Sequence, residues 1–238
     1  AGCGTSCVSV ATADALHRDC FCIAVDPPAV RAQLNAILDS AGTPVRLAEE
    51  HAHLFASLPV YIPEQTVAQM TEAVGALTEV VGTPAFMAAA LSWAPAIASH
   101  DPGSPGGVLG FDFHLGPHGP RLIEINTNPG GLLLNAMLGL ALRLCIPALS
   151  MPAIAANAAD SAVDALINEW RLQTGLNPDH LVAIVDEAPE QQYLFAEFVL
   201  FKQRLESRGF RTAICDPSEL HYVNGALLHS GHRVGFVY

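Results

Sequence analysis

The chain has 238 residues, 51% of them hydrophobic, and 11 Lys+Arg against 23 Asp+Glu give a formal net charge of −12. This is the composition of a globular domain with a real core; disorder and a disulfide-stapled miniprotein are excluded by it, and the acidic balance lacks the basic footprint that nucleic acid requires. No apolar run reaches the roughly 20 residues of a bilayer span, and no basic segment followed by an apolar core opens the chain, so neither a membrane nor a secretory signal is expected and the cytoplasm is the default.

From the N-terminus, Cys3, Cys7, Cys20 and Cys22, with Cys145 and Cys215, are scattered as free thiols are. A zinc site from the first four with His17 is the alternative, although Cys20–Val25 reads as a buried strand. After Asp26-Pro27-Pro28, Val30, Leu34, Ile37 and Leu38 recur at helical spacing. Ile62-Pro63-Glu64 opens a helix with Val67, Met70, Val74, Leu77 and Val81 on one stripe. Pro84 opens another, running towards His100 with Pro95 as a kink or stop. Both read as core elements.

Residues 101–107, Asp-Pro-Gly-Ser-Pro-Gly-Gly, form a loop, two strands and a turn follow, and residues 132–148 and 151–171 read as apolar helices. Residues 174–180 are a linker, which suggests a division into 1–175 and a Rossmann-like, incomplete segment 176–238. In that segment Leu181–Val185 is a buried strand, Gln192–Arg208 a helix capped by Gly209, and Thr212–Cys215 a strand, which is a βαβ unit with parallel strands. A hairpin turning at Asn224-Gly225 and a last apolar strand to Tyr238 complete it. The fold class is α/β (α+β). A closing apolar strand with little to cover its far side and edge suggests part of a larger protein.

The chemistry lies in Val108–Leu115, Gly116-Pro-His-Gly-Pro120 and Arg121–Asn126. With residues 116–120 as the loop, paired positions sum to 236. Leu115 then meets Arg121, Phe113 meets Ile123, Phe111 meets Ile125 and Asp112 meets Glu124. One face carries Phe111, Phe113, Leu115, Ile123 and Ile125, and the other Asp112, His114, Glu124 and Asn126. Directly opposed carboxylates repel unless a cation or water separates them. Three readings fit: a solvated polar face, a paired-carboxylate hydrolase, and a Mg²⁺ or Mn²⁺ site of oxygen donors, the last being the one that uses Asn126. The loop Thr127-Asn-Pro-Gly-Gly131 then leads to a helix whose first N–H groups could meet an anion.

Gly110-Phe-Asp112 followed by Leu122-Ile-Glu-Ile-Asn126-Thr-Asn128 resembles the metal hairpin of the ATP-grasp superfamily, and in particular the circularly permuted members related to glutathionylspermidine synthetase. Val185–Tyr193, Leu220–Leu227 and Val237-Tyr238 resemble the Rossmann-like segment that follows there, so the similarity covers about residues 105–238. It implies Asp112, Glu124 and Asn126 as metal ligands, Mg²⁺ or Mn²⁺ as cofactor, ATP as co-substrate, and an ATP-dependent ligase joining a small-molecule or peptide carboxylate to an amine through an acyl phosphate. Gly110 stands where glutathionylspermidine synthetases carry Arg, and Lys202 is the one lysine, on a predicted helix as a solvated residue, whereas the family grips nucleotide phosphates with lysines. The alternative is a catalytically silent relative, a binding module or subunit, and the chain alone is expected to bind Mg²⁺-ATP weakly. His114, His118, Asp186-Glu187 and Gln191-Gln192-Tyr193 are weaker candidates.

Overall fold

The computed structural model describes residues 27–40, 54–55, 60–145 and 157–238. The strand expected at 20–25 and the zinc alternative lie outside the described residues, as does the start of the helix expected at 151. The described chain is mixed α/β, with helices α1 (Pro27–Ser40), α2 (Glu64–Val81), α3 (Pro84–Leu91), α4 (Leu132–Cys145), α5 (Ala158–Thr174) and α6 (Phe195–Ser207). Strands β1 (Gly110–Gly116) and β2 (Gly119–Asn126) form one sheet. Strands β3 (Leu181–Val185), β4 (Thr212–Cys215), β5 (Leu220–Val223), β6 (Ala226–His229) and β7 (His232–Val237) form the other, in the order β4-β3-β7-β6-β5.

Two compact units result, and their boundary falls between Pro129 and Gly130, well before the division expected at 175. The reason is apolar: Leu133, Leu134, Met137 and Ala141 of α4 and Val163, Leu166 and Trp170 of α5 enter the same core as β3, so both helices belong with the sheet, as does α1 through Val30 and Leu34.

In this second unit β3 is parallel to both β4 and β7, which confirms the βαβ reading, and β5, β6 and β7 are successive antiparallel neighbours. Val182 and Ile184 point to the helices, while Leu181 and Ala183 join a smaller cluster with Cys215 and Val234, against which Leu220 and Leu227 pack. A strand covered on both faces must be apolar throughout, hence the unbroken run Leu181–Val185. The terminal strand, expected to be poorly covered at its edge, lies inside the sheet between β3 and β6.

Its register slips between Leu181–Val234 and Val182–Phe236, so Gly235 is the extra residue. The slip turns Phe236 to the helix side, where its ring stacks on Trp170 at 6.2 Å. A Cβ on Gly235 would lie 2.6 Å from Trp170 and 2.7 Å from His180, so only glycine permits this approach. Asn224-Gly225 and Ser230-Gly231 both carry positive φ at two successive residues, the geometry that tight two-residue hairpins need. The second of these turns was not anticipated.

The described part of the first unit, Val60–Pro129, contrasts with this. Helix α2 forms as expected and packs on β2, but neither α2 nor α3 has a buried residue, so they are not core elements. Val67 and Val81 of the predicted stripe are exposed and Met70, Val74 and Leu77 half-buried. Helix α3 starts at a Thr83 cap, whose hydroxyl accepts the Phe86 N–H at 3.2 Å, and stops at Leu91, short of Pro95. Among the described residues no single helix is long and apolar enough to cross a membrane; α2 and α3 reach that length and composition only together, bent by 71° at their break.

Candidate functional site

The β1–β2 connection is a two-residue turn, Pro117-His118, between paired Gly116 and Gly119, rather than the five-residue loop 116–120. The tighter turn shifts the pairing by one: Leu115 meets Pro120, His114 meets Arg121 and Phe113 meets Leu122. A bulge that leaves Ile123 unpaired then restores the expected register, so that Asp112 faces Glu124, Phe111 faces Ile125 and Gly110 faces Asn126. The carboxylate pair stands as predicted, whereas the Leu115–Arg121 and Phe113–Ile123 pairs are corrected.

The tighter turn and the bulge together have a chemical consequence. Arg121, which five-residue-loop parity puts on the apolar side, is the cross-strand partner of His114 and shares the face of Asp112 and Glu124. Two carboxylates, an imidazole and a guanidinium are therefore neighbours on one exposed face. Asn126 is half-buried and donates from Nδ2 to Asp112 Oδ2 at 2.9 Å, tying the end of β2 to the middle of β1. Gly110 makes room for this corner, since a Cβ there would come within 2.9 Å of Pro129 Cβ and 3.5 Å of Asn126 Cβ. His118 lies exposed in the turn. Among the described residues no three His, Cys, Asp or Glu side chains gather as a metal centre, so any ion here rests on two carboxylates and the Asn126 amide.

The N-terminus of α4 does not await an anion. Glu197 of α6, only 2% exposed, fills that place: Oε1 accepts the Leu133 N–H at 2.8 Å and Oε2 the Leu134 N–H at 3.0 Å. A carboxylate at the positive end of a helix dipole is a favourable pairing within one fold. Burial pushes this carboxyl above its ordinary range, and the N–H groups of Leu133, Leu134 and Leu132 oppose the shift. Burial together with the negative charge of Glu197 raises the Tyr238 phenol to about 12. Glu197 was missed by sequence reasoning, though one acid inside Phe195-Ala-Glu-Phe-Val-Leu-Phe201 is the pattern of a buried, satisfied carboxylate.

After β3, the polar candidates close the loop on itself. Asp186 Oδ1 accepts the Glu187 N–H at 2.8 Å, and Gln192 Nε2 donates to the Glu187 carbonyl at 2.6 Å. Asp216, also unanticipated, organises this end of the sheet by accepting from the Ala188 N–H, the Ser218 N–H and the Ser218 hydroxyl. The hydroxyl first, then the two N–H groups, hold its carboxyl below the usual range. Lys202 is not a free surface residue: Nζ donates to Glu206 Oε1 and to the Thr212 carbonyl, each at 2.6 Å. Beside it opens a cleft of about 620 Å³ along Thr212, Ala213 and Ile214 of β4, walled by Phe195 and Glu190. No family model matches the chain, and no curated protein matches it.

Proposed function

We propose that the chain is the metal-hairpin portion of an ATP-grasp carboxylate–amine ligase of the permuted type, in which a carboxylate takes the γ-phosphoryl group of ATP and an amine then displaces phosphate. The observation that carries this reading is the direct opposition of Asp112 and Glu124 with Asn126 bonded to Asp112. The donor set fits a hard divalent ion: two carboxylates and an amide oxygen suit Mg²⁺ or Mn²⁺ that shares its shell with phosphate and water. Bound there, the ion would neutralise phosphate charge. Asn126 orients the Asp112 carboxylate, and Arg121, paired with His114, brings positive charge to the same face. That partly answers the absence of a side chain at Gly110, where the corner with Pro129 has no space for one.

The second reading, a catalytically silent relative, draws support from two groups already spent on structure. Glu197 occupies the N-terminus of α4, and Lys202 is held by Glu206 and Thr212. Paramagnetic broadening by Mn²⁺ tests the hairpin: the amides of Asp112, Glu124 and Asn126 broaden first in the wild type and not in Glu124→Gln. Hydroxylamine trapping with ATP and a panel of carboxylates then separates the readings. Hydroxamate formation supports the ligase, Mn²⁺ binding without hydroxamate supports the silent relative, and broadening that is unchanged in Glu124→Gln refutes the metal hairpin.

A further inference from the structure

We propose that the outer edge of β4 docks an extended, basic peptide segment of a partner protein. This rests on the second unit alone and stands apart from the ligase reading. Among the described residues strand β4 ends the sheet, with β3 on one side only. The ladder is fixed by the Val182 N–H bonding the Arg211 carbonyl at 2.9 Å and the Asp186 N–H bonding the Cys215 carbonyl at 3.3 Å. In a parallel pair this alternation sends the backbone groups of residues 213 and 215 towards β3 and those of Thr212 and Ile214 outwards. The Thr212 carbonyl is taken by Lys202, whereas Ile214, whose backbone groups this alternation directs outwards, lines the cleft.

An antiparallel strand can exchange both hydrogen bonds with Ile214, which is β-strand addition to an open edge. Lys202 then acts as an end stop, because it holds the next outward carbonyl and so limits the register of the incoming strand. The walls state what the segment carries. Phe195 and Ile214 offer apolar surface, and Glu190 and Glu219 are acidic residues at the same groove that form no ion pair among the described residues, the Glu219 carboxylate accepting the Asp216 N–H at 2.7 Å. Lys202, the one cation lining the groove among the described residues, is paired with Glu206. On a chain of net charge −12 this favours a strand that alternates apolar residues with Lys or Arg over an acidic one.

The test uses the ¹⁵N-labelled chain and the peptide Ac-Val-Lys-Val-Lys-Val-NH₂. The Ile214 amide is expected to shift on titration and to become protected from hydrogen exchange. Methylation of the central peptide nitrogen removes one hydrogen bond and should weaken binding about tenfold. The Glu-for-Lys peptide should bind at least as poorly, and Glu190→Lys, an exposed substitution, should weaken the basic peptide roughly threefold. Equal affinity for the methylated or acidic peptide, or shifts confined to other elements, would overturn the proposal. So would a concentration-dependent dimer that protects Ile214 without peptide, since the edge would then be covered by a second copy.

Discussion

The two units of this chain are built on opposite terms. Every buried residue among those described lies in α1 or in Gly130–Tyr238, whereas Val60–Pro129 has none and exposes Trp93 by 81% and Ile97 by 80%. Among the described residues, one unit is held by a core shared between a sheet and four helices, and the other by helical hydrogen bonds and a two-stranded hairpin, an arrangement of marginal stability by itself. The proposed chemistry sits on the weakly buried unit. This accords with the general placement of ligand-binding elements at the low-stability end of a protein, where opposed carboxylates are tolerated because little packing depends on them.

The largest expected effect separates the units. Trp170 is 1% exposed and packs on Phe210 and Phe236, so Trp170→Ala should cost about 3–5 kcal/mol in urea unfolding followed by circular dichroism. Amide exchange should accelerate across β3, β4 and β7 and leave β1–β2 unchanged. Equal acceleration in the hairpin would show that the two units unfold as one, and the contrast between them would dissolve.

Next comes Glu197. Glu197→Ala leaves buried N–H groups of α4 without an acceptor and should cost about 2–3 kcal/mol. The charge adds a pH dependence whose sign follows from linkage. A carboxyl raised in the folded state binds its proton more tightly there than in the unfolded chain, so stability falls as pH rises from the ordinary carboxylate range through the raised value. Asp216, with its carboxyl lowered, works the other way and loses its contribution as pH falls below the ordinary range. Urea midpoints against pH for the wild type and Glu197→Gln should diverge in the first window only. Parallel curves would mean that Glu197 keeps one protonation state throughout.

These same residues show why the sequence was legible in some places and not in others. Leu181–Val185 and Thr212–Cys215 were found to the residue because a strand covered on both faces leaves no polar ambiguity. Asp112 opposite Glu124 was also legible, but through a register that was right at only one end of the hairpin. A turn shortened by three residues and a bulge at Ile123 offset each other in the pairing there, and between them they moved Arg121 to the polar face. Alternation gives parity, and parity cannot count bulges. The boundary at Gly130 was missed because membership of a core is decided by contacts between distant segments, and α4 shows its partner only once Glu197 and β3 are in place.

A smaller effect probes the hairpin corner. Gly110→Ala pushes a methyl to 2.9 Å from Pro129 Cβ and should cost about 1–2 kcal/mol by crowding, measured as a shift in the hairpin's exchange rates. Because Asn126 turns the same corner, Mn²⁺ affinity should fall as well. A stability loss with unchanged affinity would place the corner's role in folding alone.

The smallest effect is expected at Ile123, and its smallness is what matters. Isoleucine in a strand normally costs a great deal to remove, and any reading of the hairpin as a core element requires this one to be buried. The bulge instead leaves Ile123 unpaired and 65% exposed. Ile123→Ser therefore removes little area from contact with protein and should change stability by no more than about 0.5 kcal/mol. Exchange rates of the β1–β2 amides, read by nuclear magnetic resonance, give the resolution that such a small change demands. A loss above about 1.5 kcal/mol would mean that the face of Ile123 is covered in solution, and the first unit would then own a packed surface like that of the second.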